Sequence, residues 1–351
     1  MDTLLAVAPP GRSTTTSVGI GPIGPLPSPR DPGVTITSNT PAPYPQVAQS
    51  TPMPSSAVPI ALGAYVSPGA WGTADIDQFT GLVGSSPAII MWYQDWAHLD
   101  MRDFDLDRMN AVVQRGAVPV ITWEPWDDTG NETQPAYALS RIVDGTYDFY
   151  IRGWAHAAAT WRNRLYLRFA HEMNADWYPW SSGVNGNTSA QYIAAWRHVW
   201  DIFHQEGATN VRWIWSPNVE VPGSTPYAEV YPGDTYVDWI GLDGYNWGTS
   251  QAWSRWMDFT AIFGVSYEDI EQLTNKPIMI AETACADSGG DKAAWILHGL
   301  LTDVPTRFPR IRAVVWFDIE KETDWRIDSS PSSLAAFSRV AASPMYRGRL
   351  P

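Results

Sequence analysis

From residue 57 onward, short apolar runs rich in β-branched residues alternate with longer stretches in which apolar residues recur at helical spacing. The short runs are PIALGAYVS (59–67), PAIIMWYQDW (87–96), AVPVITWEPW (117–126), RLYLRFAHEMN (164–174), VRWIWSPN (211–218), VDWIGLDGYN (237–246), PIMIAETAC (277–285) and IRAVVWFDIE (311–320). Between most of them lie helical stretches. Two of these, DLDRMNAVVQRG (105–116) and SAQYIAAWRHVWDIFHQEG (189–207), end in the Gly expected just past a helix C-terminus. Eight β/α units in succession predict an α/β chain closed into a (β/α)8 TIM barrel over residues 57–351. Within residues 57–351 no GxGxxG or GxxxxGK[ST] turn points instead to an open nucleotide-binding sheet. Residues 1–56 break the pattern: segments such as NTPAPYPQVAQSTPMPSS hold too few aliphatic residues to bury a core, and they predict a disordered Pro/Ser/Thr-rich tether.

Composition narrows the chemistry. Twenty tryptophans exceed what a core of this size ordinarily takes, so many are expected near the surface or in a cleft. A formal net charge of −14 argues against nucleic acid or an anionic membrane as partner, since both reward clustered Lys and Arg. No apolar run reaches the length of a transmembrane helix, and MDTLLAVAPP lacks the features of an intact signal peptide. The single cysteine, Cys285, excludes an intramolecular disulfide and reads as a small buried residue. No two of the six histidines stand at i, i+3 or i, i+4, so no catalytic metal is expected.

The active site of such a barrel lies at the C-terminal ends of its strands. The predicted ends gather Trp92, Tyr93 and Asp95; Trp123, Glu124 and Trp126; His171, Glu172 and Asn174; Asp243, Tyr245 and Trp247; Glu282; and Trp316 and Asp318. Glu172 closes the fourth run and Glu282 the seventh, on strands that face each other across the mouth. Two such carboxyls, about 5–5.5 Å apart, are what cleavage of a glycosidic bond with retention requires: one attacks the anomeric carbon, the other protonates the leaving oxygen. Arg168, on the inward-facing period-two set of Glu172, could hold a carboxylate ionised. Tyr245, ending the sixth run, can donate to Glu282. Glu124 is open to two readings, substrate binding or an ion pair. The tryptophans beside the carboxylates, Trp92, Trp123, Trp177, Trp180, Trp247 and Trp316, are expected to offer indole faces to sugar rings rather than to fill the core.

The stretches RFAHEMNADWYPW (168–180), DWIGLDGYNW (238–247), PIMIAET (277–283) and AVVWFDIEKETDWR (313–326) resemble glycoside hydrolase family 26, a clan A family of retaining (β/α)8 barrels. The His171–Glu172 pair carries the distinction, because most clan A families have Asn where this family has His. The resemblance spans residues 60–345. It implies that Glu172 is the acid/base, Glu282 the nucleophile and His171 a substrate ligand beside the cleaved bond. It also implies that Arg168 and Tyr245 support the nucleophile and that Trp177 lines the sugar site.

The expected activity is that of a retaining endo-β-glycanase of the β-1,4-mannanase type, working without cofactor on a polysaccharide or oligosaccharide. The segment after Glu282, TACADSGGD, departs from the mannanase pattern of an aromatic shortly after the nucleophile, which leaves a mixed-linkage β-1,3-1,4-glucanase as the alternative. A glycan-binding barrel without catalysis is the rival from another class; retention of Glu172, Glu282, Arg168 and Tyr245 speaks against it. The Pro/Thr-rich tether is of the kind that precedes exported polysaccharide-degrading domains, so a secreted monomer is expected, although no signal peptide is visible.

Overall fold

The computed structural model describes residues 58–99 and 101–351; the expected tether lies outside them. Eight parallel strands close into a barrel in sequence order: β1 (Ala61–Val66), β2 (Ile89–Asp95), β3 (Val118–Glu124), β4 (Leu165–Phe169), β5 (Val211–Trp215), β6 (Trp239–Asp243), β7 (Ile278–Thr283) and β8 (Ile311–Asp318), with β8 pairing back onto β1. Each falls within one of the eight apolar runs. The barrel is therefore a (β/α)8 fold, as the pattern predicts.

The intervening helices begin where side chains satisfy their free N–H groups. Thr188 and Gln191 form a reciprocal capping box at the start of Ser189–Gln205. Asp105, Asp258, Asp291 and Ser330 accept backbone N–H groups at the starts of Leu106–Gln114, Phe259–Leu273, Lys292–His298 and Pro331–Ala342. Gly84 ends Thr73–Val83 in the left-handed conformation, at φ +76°, where a residue without Cβ carries no steric cost.

Register decides which residues reach the mouth. Residues paired across parallel strands point to the same side of the sheet. Tyr93 pairs with Thr122, and Thr122 with Arg168; Gln94 pairs with Trp123, and Trp123 with Phe169. The first set faces the barrel interior and the second faces the helices. At the bottom of the interior Tyr166 meets Trp239 edge-on, with ring centroids 6.1 Å apart. Between sheet and helices an aromatic layer holds Trp96, Trp123, Trp154, Phe169, Trp196, Phe203 and Trp213 in successive ring contacts. Cys285 is buried, as expected, and its thiol bonds with the Asn246 amide and the Ala286 carbonyl. No helix among the described residues is long and apolar enough to cross a membrane.

Candidate active site

Two local departures from regular structure shape the mouth. At the end of β4 the chain turns out of the sheet through Ala170 and Glu172, both at positive φ (+44° and +51°), with His171 between them. Non-glycine residues adopt this region at a cost of order 1–3 kcal/mol, which surrounding contacts must sustain. Here the Glu172 N–H donates to Ser216 O, the Ala170 N–H to Trp123 O, and the Trp180 indole to His171 O. The second departure is an irregularity in register between β6 and β7, where Gly241 pairs with Met279 but Asp243 with Glu282. The extra residue on β7 brings Glu282 onto the inward face beside Asp243.

Glu282 is then fixed at both oxygens. Arg168 donates from Nη1 and Nη2 to Oε1, each at 2.5 Å, and the Tyr245 hydroxyl donates to Oε2 at 2.5 Å. Arg168 Nη2 also reaches Asp243 Oδ2 at 3.0 Å, and Ser216 Oγ donates to Asp243. The buried guanidinium thus serves two carboxylates, the arrangement its planar fork suits. Asp243 stood at a predicted strand end without a role in the sequence reading; its tie to Arg168 depends on the register of β6 against β7.

Glu172 sits differently. Its Oε2 accepts from the Trp177 indole N–H at 2.7 Å. Burial, and next the negative charge of Glu282, push its carboxyl up to about 8, against smaller opposing pulls from Trp177, Arg168 and Lys321. Glu172 is therefore protonated at neutral pH. His171 is held well below its usual range by burial and then by the Arg168 and Lys321 charges, so its ring is neutral. That ring meets Tyr178 at a tilt, 4.7 Å between centroids, and Nδ1 lies 3.9 Å from Glu124 Oε1 with no hydrogen-bond partner for either atom. Glu124 is pushed well above the carboxylate range by burial, then by Asp128 and Asp95. The Tyr93 hydroxyl, on the same inward face, also has no partner. These polar atoms are buried without hydrogen bonds near the two carboxyls at the strand ends, a state that is costly unless a partner fills it.

The two predicted pairs, Arg168 with Glu282 and Tyr245 with Glu282, are both made. Trp177 touches Glu172, and Trp247 packs beside Tyr245, 6.4 Å between ring centroids, each of the two tryptophans retaining a sliver of exposure. Trp123 and Trp316 do not line the cleft. Trp123 faces the helices, donating to the Tyr150 hydroxyl, and Trp316 packs between Trp295 and Phe337. Both are fully buried, one position out of step with the inward set. Phe317 takes the inward position beside Trp316, meeting Tyr65, Tyr93 and Tyr245. Trp180 lies behind His171, stacked on Tyr178 at 4.4 Å, and is fully buried.

Comparison with known proteins bears out the resemblance read from the sequence. The family model described as glycosyl hydrolase family 26 matches residues 155–298, which include both Glu172 and Glu282. Endoglucanase H of Acetivibrio thermocellus is 41% identical over 280 residues, 77% of this chain and 29% of that protein. A mannan endo-1,4-β-mannosidase of Bacillus subtilis is 27% identical over 165 residues, 45% of this chain and 39% of that protein. The chain thus spans well under half the length of either relative. Among solved structures, a Bacillus subtilis mannanase superposes with a TM-score of 0.60 at 19% identity, covering 82% of this chain and 86% of that one. A family 26 β-mannanase from Bacteroides ovatus superposes at 0.56, also at 19% identity, covering 82% and 89%. These structural likenesses speak to the fold.

Proposed function

We propose that this chain, a barrel of the glycoside hydrolase family 26 type, is a retaining endo-β-glycanase in which Glu282 is the nucleophile and Glu172 the acid/base. One observation carries the assignment: of two carboxyls at the ends of β4 and β7, one is tied to a guanidinium and a phenol while the other is protonated at neutral pH. That division of environments matches a double displacement. Glu282 attacks the anomeric carbon as its bond to the leaving oxygen breaks, and that oxygen takes the Glu172 proton. Glu172, now a carboxylate, removes a proton from water; the water oxygen attacks the anomeric carbon and Glu282 departs. Trp177 steadies the carboxylate form of Glu172 between the two halves. His171, Glu124 and Tyr93, with their unpartnered polar atoms, supply donors and acceptors for the hydroxyls of the sugar being cleaved.

For the substrate, the more extensive similarity to Endoglucanase H favours a β-glucan, and mixed-linkage β-1,3-1,4-glucan, the alternative left open by the departure of TACADSGGD from the mannanase pattern, is the proposed polymer. The shorter matches to mannanases support a second reading, β-1,4-mannan. Parallel digests of barley β-glucan, glucomannan and galactomannan, with products sized over time, decide between them. Rapid shortening of barley β-glucan with little action on galactomannan is expected; the reverse preference would restore mannan. Binding to all three polymers without new reducing ends would leave a glycan-binding barrel and remove the catalytic reading.

A further inference from the structure

We infer that Asp95, His98 and Asp128 form a binding site for one divalent transition-metal ion, at the rim of the barrel between the loops that follow β2 and β3. Their donor atoms lie within 4.8 Å of one another: His98 Nδ1 is 2.8 Å from Asp95 Oδ2 and 3.5 Å from Asp128 Oδ1. Two ligands of a tetrahedral ion bound at about 2.0–2.1 Å stand roughly 3.3 Å apart, and the two separations bracket that spacing. The independent pointer is Asp128. Its side chain is 2% exposed, yet Oδ1 has no hydrogen-bond partner among the described residues and is turned toward the imidazole. A buried carboxylate oxygen left in this state is costly unless a cation or donor fills the gap.

Asp95 is prepared to ligate. Its Oδ1 accepts the backbone N–H groups of Ala97 and His98 at 2.8 and 2.9 Å, which orients the carboxylate and leaves Oδ2 facing the cluster. Two carboxylate oxygens and one imidazole nitrogen suit Zn2+ or Mn2+; the nitrogen ligand disfavours Ca2+ and Mg2+, which prefer all-oxygen cages. The ring proton then resides on Nε2, and the remaining positions around the ion are open to water. Histidine spacing does not reveal this site, because its ligands come from the ends of two strands that only the barrel brings together.

The test uses the full chain without a histidine tag, stripped by EDTA and dialysed, titrated calorimetrically with Zn2+, Mn2+ and Ca2+ and assayed for bound metal. One Zn2+ per chain at micromolar or lower Kd, Mn2+ weaker and Ca2+ weaker still, is expected. Asp128→Asn should weaken Zn2+ at least tenfold, and His98→Gln, at a third-exposed position, should do so with melting behaviour like that of the metal-free parent. Absence of saturable binding would mean that His98 merely joins the two carboxylates as an ion pair, and equal affinity in parent and both folded variants would put the metal on surface histidines; either result overturns the site.

Discussion

Glu172 and Glu282 differ in what holds them, so their replacement should fail differently. Either Glu→Ala change is expected to cut polysaccharide hydrolysis by about 10²–10⁴-fold or more. With an activated aryl glycoside the two diverge. Glu172→Ala should accumulate the glycosyl-enzyme and release a β-glycosyl azide when azide is supplied, whereas Glu282→Ala, lacking the intermediate, should give the α-azide if any; NMR of the products checks the roles. The position of Glu172 also sets a pH limit. Because burial and Glu282 raise Glu172 to about 8, kcat/KM should fall as pH rises through that region and the acid form is lost. A profile flat to pH 10 would remove Glu172 as the acid. Tyr245→Phe, which deletes the donor to Glu282 Oε2, should slow turnover about 10- to 100-fold while the fold persists.

At the scale of the strand, what sequence conveyed and what it concealed have one cause. All eight strands could be located because each is a short apolar run between helical stretches, and the residues after β4, β6 and β7 could be placed at the mouth. The side on which a given residue falls was harder to read. Strands of a closed parallel barrel are buried on both faces, so the alternation that marks inside from outside is missing: in VPVITWE nearly every position is buried. Trp123 and Trp316 adjoin Glu124 and Asp318 along the chain, which suggests the cleft, and the register turns both outward. Asp243 and Tyr93 stand at predicted strand ends, but what each of them faces depends on the same hidden register. A pair of variants separates the two kinds of tryptophan. Trp123→Ala should cost about 3–5 kcal/mol of stability with catalysis per folded molecule little changed; Trp177→Ala should instead lower kcat, since it removes the indole that bonds the acid. Urea unfolding beside steady-state kinetics measures both.

Across the whole molecule, the buried Glu172 carboxyl opposes folding as pH rises. Glu172 binds its proton up to about pH 8 when folded but only up to the ordinary carboxyl value of about 4.5 when unfolded. Between those limits the native state holds more protons than the unfolded chain, so rising pH drains stability at up to about 1.4 kcal/mol per unit for this one group. Glu172→Gln keeps the shape without the titration. The variant should therefore melt above the parent at pH 8, with the gap closing as the pH approaches 4.5; equal melting temperatures at both ends would place Glu172 in a less buried setting than the one described.

The sorting of tryptophans into an aromatic layer and a few cleft positions also decides what the protein's own light can report. Trp92, Trp96, Trp123, Trp126, Trp180, Trp196, Trp215, Trp295, Trp316 and Trp325 are sealed from water, whereas Trp177 and Trp247 border the carboxylates with slight exposure. Indole emission shifts to the red on contact with water, so unfolding should move the spectrum strongly. A glycan entering the cleft would perturb only the minority at its edge, against a large, indifferent background. Intrinsic fluorescence of this barrel is thus a faithful gauge of its integrity and a poor gauge of its occupancy, unless a Trp177→Phe difference spectrum isolates the indole that bonds Glu172.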